Sequence, residues 1–458
     1  MKKFAWPLFA VLLLLLVACG GSNVYRTDSG RFVYEVANRS VTITDYRSSG
    51  QAYEEIFIPE TINDLPVETI ARGAFTSSVS RGTLVAGVVV IPESVTTVKE
   101  NAFTGTPGPN AIVLRAQEEP AGFQSGWNNT VAPVVYDYAS MDVEGHYRYV
   151  VTNSDTVVLL KLLETFEDAT FNVPQTIEGK PVVEISDMAA IGNTHIETLI
   201  VGEGIVRIGR EAFSGLSALK TITLPESLVS MGERVFSGNR NLEEVNFHAD
   251  SNLEALPPGA FRSSSPLPQF SNKITNIAIP DSVESIGSNA FLNGSTLETV
   301  TFGAESALKH IGEFAFRSTL SLESIEFPST LETIGRQAFR NSGIVEFVFP
   351  EGLTRIEHGV FMESRALEKV VIGPHIESIA EAAFRDCVNL KVVVVQREAS
   401  EGITTLDHWS SSLGRPFRQN HADFAIYVPE NSFTEYSEDD RWDFYIDKLH
   451  THEDLPAE

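Results

Sequence analysis

Apolar and polar positions recur along this chain in a fixed order. The stretch "LESIEFPSTLETIGRQAFRNS", from Leu322 to Ser342, holds one full copy. Ile325 and Phe327 alternate with Ser324 and Glu326, which predicts a short strand with one apolar and one polar face. Pro328 has no amide donor and stops that strand. Ile334 is then buried, Gly335 permits a tight or left-handed turn, and Phe339 fills the far side of a core. The first inward strand position falls at Leu199, Ile222, Val245, Ile277, Val300, Ile325, Phe347, Val370 and Val393, in steps of 23, 23, 32, 23, 25, 22, 23 and 23. The phenylalanine marker falls at Phe213, Phe236, Phe261, Phe291, Phe316, Phe339, Phe361 and Phe384. A constant period of this size predicts a solenoid whose repeats cannot fold singly and must stack.

Departures from the period read as loops. The widened turns at 247–251 and 302–306 add residues between strand and phenylalanine, and "SSSPLPQFSN" lengthens the return after Phe261. The turn glycine stands at Gly209, Gly232, Gly287, Gly312 and Gly335, while Glu357 and Ala380 replace it in the last two repeats.

The pattern L-x-x-I-x-F-P-x-x-L-x-x-I-G-x-x-A-F resembles the BspA-like, or Treponema-type, leucine-rich repeat. That resemblance implies an α/β-type but β-rich solenoid: a right-handed horseshoe with a parallel sheet on its concave face. Pro or Gly stands where the general leucine-rich pattern has Asn or Cys after the strand.

A second duplication lies over the first. With a shift of 115 residues, "GRFVYEVANRS" at Gly30 meets "GHYRYVVTNSD" at Gly145, and "IPETINDLPVETI" at Ile58 meets "VPQTIEGKPVVEI" at Val173. These segments read as β-rich headers covering the open end of a solenoid. Looser matches end each half near Tyr138 and Tyr436. The expected organisation is a short module over 30–138 with phenylalanines at Phe75 and Phe103, a junction over 139–144, a long module over 145–447 with a C-terminal cap, and an acidic tail over 448–458.

The N-terminus carries a different message. Lys2 and Lys3 precede an apolar run, Phe4 to Val17, that is short for a membrane span and laid out like a secretory signal. It ends in Leu16-Val17-Ala18-Cys19-Gly20, which resembles a bacterial lipobox. That resemblance implies cleavage of a signal peptide over 1–18, acylation of Cys19 and a tether over 19–29; an ordinary signal peptide with a chance cysteine is the alternative. The only other cysteine is Cys387. With Cys19 lipidated no internal disulfide can form, and the exported protein is stable by packing alone.

Thirty-four basic against 61 acidic side chains give a net charge of −27. That balance argues against nucleic acid and against a bare anionic membrane surface as partners. No P-loop, His-Glu-x-x-His, Gly-x-Ser-x-Gly or EF-hand pattern occurs, so neither a catalytic set nor a cofactor or metal site is expected. Ser217–Lys220 and Ser306–Lys309 match Ser-x-x-Lys at unrelated repeat positions and read as chance. The tail cluster His450, His452, Glu453 and Asp454 could bind metal only if it were held in place. Cys387 reads as a buried small side chain.

The more informative surface is the outward face of the predicted sheet. One column ends in Ser324, Glu346, Lys369 and Val392, and the other in Glu326, Val348, Val371 and Val394. The apolar end (Val348, Val371, Val392, Val394), with Glu326, Glu346 and Lys369 beside it, is the candidate binding surface; packing of the C-terminal cap over it is the competing explanation. BspA-like proteins are associated with adhesion to host matrix and with contacts between bacteria. The resemblance therefore implies a non-enzymatic, lipid-anchored protein of the bacterial envelope, at the outer membrane or cell surface. It would bind a protein or glycan partner, with a periplasm-facing envelope scaffold as the alternative.

Overall fold

The computed structural model of the chain describes residues 24–27, 29–47, 54–76, 87–105, 109–130, 132, 134–135, 142–144, 146–152, 154–163, 165–267, 269–408 and 414–456. The signal segment and Cys19 lie outside these residues. The chain divides into two compact units on either side of the Ala139–Ser140 bond.

In the second unit each turn of the coil has three sides. The first side is a parallel ladder of short strands. Thr170–Asn172, Thr198–Ile200, Thr221–Thr223 and Glu244–Asn246 pair in register, as do Asn276–Ile279 with Thr299–Phe302. A further run joins Glu346–Val348, Lys369–Ile372, Val392–Val395, Ala425–Val428 and Leu449–Thr451. The second side is built from two-residue strands such as Ser285–Ile286, His310–Ile311 and Thr333–Ile334. The third side is an arc whose amides bond to the next arc: Phe213 N to Val235 O at 3.0 Å, Phe316 N to Ala338 O at 2.8 Å, and Phe361 N to Ala383 O at 2.8 Å. Along these runs each side satisfies its backbone groups through its neighbours, which is why one turn alone is not a folding unit. Helix is minor. Among the described residues the single α-helix is Phe433–Ser437, so the fold is a β-rich parallel solenoid and the α/β expectation overstated its helical share.

The marker phenylalanines form a continuous stack through the core. Consecutive rings from Phe213 to Phe384 lie 5.2 to 6.0 Å apart, and their planes stay within 17° of parallel. The stack crosses the insertion after Phe261 without a break, since Phe261 and Phe291 remain 5.6 Å apart. Offset contacts of this kind add to the burial of each ring. The stack also runs one rung past the last sequence marker: Phe417 lies 5.3 Å from Phe384 with planes 2° apart.

Three expectations change. The repeat glycine does not take a left-handed conformation; the left-handed residue stands two positions later, at Glu211, Arg234, Asn289, Phe314, Gln337, Gly359 and Ala382. Glycine is favoured where the preceding turn comes closest: a Cβ at Gly209 would lie 2.3 Å from the Asp187 amide nitrogen, and one at Gly335 2.7 Å from that of Glu313. Glu357 and Ala380 leave this turn intact, with Gly359 N bonding Glu381 O at 3.1 Å. Second, the segment around Ile325 forms no paired strand. Its neighbours lie 25 residues before and 22 after, so its amides fall out of step, and a single bond from Val345 N to Glu323 O spans the gap. Third, the expected acidic tail contributes a strand. Leu449–Thr451 pairs with Ile426–Val428, and Leu449 is buried.

Near its start each unit has antiparallel strands that give way to parallel pairing, led by Val24–Arg26 in the first and Asp142–Glu144 in the second. Phe32–Ala37 pairs with Ser40–Tyr46, which then pairs in parallel with Leu65–Ile70. Tyr147–Val151, Val157–Leu162 and Lys180–Ile185 repeat the arrangement.

A candidate binding face on the parallel sheet

Register places the predicted surface residues in two adjoining rows. Phe347, Val370, Val393, Ile426 and Leu449 point inward and are buried. On either side of them, Glu346, Lys369, Val392 and Ala425 form one outward row, and Val348, Val371, Val394, Tyr427 and His450 form the other. Alternation in an extended chain fixes these rows, and the parallel register aligns them.

Exposure along the second row is graded. Val348 is 66% exposed and Val371 half-buried, whereas Val394 and Tyr427 are each 7% exposed. Val392 and Lys369 are half-buried, and Glu346 is exposed. Glu326 is exposed too, but it lies off the ladder, so the structure does not bring it into the rows. The apolar surface is open at Val348 and closes toward the C-terminus. There the Tyr427 ring lies 5.6 Å from that of His450, and His452 Nε2 is 3.0 Å from the Val395 carbonyl oxygen.

Sequence reasoning missed Tyr427 and His450 as continuations of this row. Tyr427 comes 33 residues after Val394, because the loops of the terminator break the period; His450 follows at the regular 23. The short apolar run Ala425–Val428 followed by Pro429 was the available signal.

The other candidates have structural employment. Cys387 is fully buried with Sγ 3.0 Å from the Phe361 carbonyl oxygen, and burial pushes its thiol far above the usual range. Ser364 Oγ donates to Phe339 O at 2.7 Å and Asn239 Nδ2 to Phe213 O at 3.0 Å, so successive repeats use this position to satisfy a phenylalanine carbonyl. Lys220 and Lys309 pair with Glu197 at 2.7 Å and Glu284 at 3.0 Å. In the tail, Asp454 accepts from Thr451 while the amide of Glu453 donates to Glu430. Among the described residues no three His, Cys, Asp or Glu side chains gather in a metal-binding group.

Residues 183–272 and 269–391 match the BspA type Leucine rich repeat region, in six copies. The BspA-type match ends at Lys391, whereas the coil continues through Thr405–Leu406, Phe417 and Ala425–Val428. No curated protein sequence matches the chain. Among solved structures, a leucine rich cell surface protein from Faecalibacterium prausnitzii is 19% identical, covering 88% of this chain and 94% of its own, with a TM-score of 0.35. The pneumococcal vaccine antigen PcpA is 18% identical, with 94% and 97% covered and a TM-score of 0.40. A leucine-rich repeat protein from Bacteroides ovatus is 15% identical, with 92% and 98% covered and a TM-score of 0.35.

Proposed function

We propose that this protein is a non-catalytic, membrane-anchored repeat lipoprotein that binds another macromolecule through the outward face of its parallel sheet, as a surface adhesin or interaction protein. In this reading it is built as two capped, horseshoe-shaped modules, held at the bacterial envelope by acyl chains on Cys19. The supporting observation is Val348. It is an apolar side chain left 66% exposed in a row that continues through Val371 to Val394. A rigid sheet carrying an exposed valine next to a half-buried one, beside charged residues such as Glu346, suits contact with a protein or glycan surface. The acidic net charge favours a neutral or basic partner.

Protease shaving of intact cells, with blotting against the second unit and a periplasmic control, tests the placement. Loss of the signal while the control survives is expected. Survival in intact cells with loss after permeabilisation would overturn the adhesin reading and point to envelope partners inside.

A further inference from the structure

On the arc side of the second unit, the residues that follow the marker phenylalanines form a column of their own. The backbone fixes it: Ser263 N donates to Leu292 O at 2.9 Å, Asn293 N to Arg317 O at 2.9 Å, Ser318 N to Arg340 O at 2.9 Å, Asn341 N to Met362 O at 3.0 Å, Glu363 N to Arg385 O at 2.8 Å and Asp386 N to Arg418 O at 2.8 Å. The rings beneath step by 5.2 to 6.0 Å. Five of the seven places from Phe261 onward hold arginine: Arg262, Arg317, Arg340, Arg385 and Arg418. Leu292 and Met362, both buried, fill the other two. Neither a lysine nor a carboxylate stands in these places, although the chain carries 61 acidic side chains against 34 basic.

Three of these arginines are unclaimed. Arg262 is exposed, Arg317 and Arg418 are half-buried, and among the described residues none of the three makes an ion pair. The Arg317 guanidinium lies 5.4 Å from the centre of the Phe314 ring. Two carboxylates that approach the column are engaged already. Glu363 accepts from Arg340 Nε at 3.1 Å and Nη2 at 2.8 Å, and Asp386 accepts from Arg385 Nε at 3.2 Å. Arg317 and Arg340 stand on adjacent rungs, and burial together with the Arg340 charge holds the Arg317 pKa below its usual value. An anion set between them relieves that crowding of positive charge.

We propose that this arginine column binds a linear sulfated polysaccharide laid along its rungs. The column is on a different side of the coil from the sheet face and does not depend on it. A guanidinium is weakly hydrated and presents a rigid fork of donors, so it meets sulfate oxygens with less lost hydration than an ammonium. The unpaired groups stand on the first, third and seventh rungs, and the rungs between them are apolar or already paired. That spacing fits a chain of separated sulfates. Duplex DNA, with one charge about every 1.7 Å, sets most of its phosphates against an acidic protein instead.

The test is a titration of the full chain with a heparin oligosaccharide, read by calorimetry at physiological salt. Desulfated, N-acetylated heparin, which keeps its carboxylates, and a DNA duplex are the controls. Saturable binding that weakens as salt is raised, at least tenfold tighter than to either control, is expected. The triple variant Arg262→Gln, Arg317→Gln, Arg418→Gln removes no ion pair and is expected to bind at least tenfold more weakly. Arg262→Gln alone, at an exposed place that does not threaten folding, is expected to weaken binding at least twofold. Lys220→Gln, Lys273→Gln, Lys309→Gln makes the triple variant's change in net charge elsewhere and breaks only exposed pairs; it is expected to bind within twofold of the native chain. No binding to the native chain, equal binding of either control, undiminished binding by a folded arginine variant, or equal loss in the lysine variant would overturn the proposal.

Discussion

Gly335 passes the backbone of the preceding turn so closely that a Cβ on it would stand 2.7 Å from the amide nitrogen of Glu313. Two positions later Gln337 takes the left-handed conformation, with φ 54°. The repeat therefore separates two demands, close approach at one residue and handedness at another.

Opposite effects of two small substitutions follow. Gly335→Ala forces main chain apart and should cost about 1–3 kcal/mol, the usual range for overpacking. Ala382→Gly relieves a left-handed alanine, φ 60°, and should be neutral or stabilising by up to about 1 kcal/mol, after allowance for glycine's larger unfolded-state entropy. Urea unfolding of both variants is the check. An undiminished stability of Gly335→Ala would show that proximity does not select the glycine, and a destabilised Ala382→Gly would show that the left-handed alanine carries no strain to relieve.

The ring stack should behave as a chain of neighbour contacts. Phe339 lies 5.3 Å from both Phe316 and Phe361. Phe339→Ala should cost about 3–5 kcal/mol and, because coupling in a solenoid passes between adjacent turns, split unfolding into separate steps. Limited proteolysis with mass spectrometry should find the first cuts near the altered turn. A single undivided transition with scattered cuts would contradict nearest-neighbour coupling.

Cys387 offers a test by substitution and by pH. Cys387→Ser keeps a donor for the Phe361 carbonyl, and Cys387→Val leaves that oxygen the Ser364 amide at 3.0 Å, so each should change stability by no more than about 1.5 kcal/mol, the net worth of one hydrogen bond. The folded thiol titrates above its unfolded value, so the folded state retains the proton longer. Its contribution is complete below the unfolded pKa, about 8.5, and declines as pH rises through the window above it. Thiol-reactive reagents should label the folded protein at pH 8 only at the rate of unfolding, and the Ser variant should lose less stability between pH 8 and 10 than the native chain.

The graded valine row predicts a graded response. Val348→Asp places a charge on an open position and should leave stability within about 0.5 kcal/mol. Val394→Asp buries an unpaired carboxylate and should cost several kcal/mol, or raise that carboxylate's pKa instead. Thermal unfolding separates them. If Val348→Asp unfolds the chain, that strip belongs to the core and the proposed binding face is wrong.

Much of this was legible because the repeat states each constraint many times. The inward positions Leu199, Ile222, Val370 and Val393 are buried as their alternation implies, and every marker phenylalanine from Phe213 to Phe384 is in the stack. The misses lie where the count fails. Ile325 sits between spacings of 25 and 22 residues, and Phe417 and Tyr427 follow irregular loops. Apolar pattern says which side chains turn inward but not whether amides and carbonyls of adjacent turns meet.

The sequence by itself determined the coil: its period, its inward residues, its insertions and the duplication of its header. Each follows from local alternation and spacing, which are properties of the chain read in order. Only the tertiary structure decided that the glycine answers to a neighbouring backbone, that Leu449–Thr451 closes the sheet, and that exposure falls from Val348 to Val394. Those depend on distances between residues some 22 to 30 positions apart, where burial and close approach are set by the neighbouring turn.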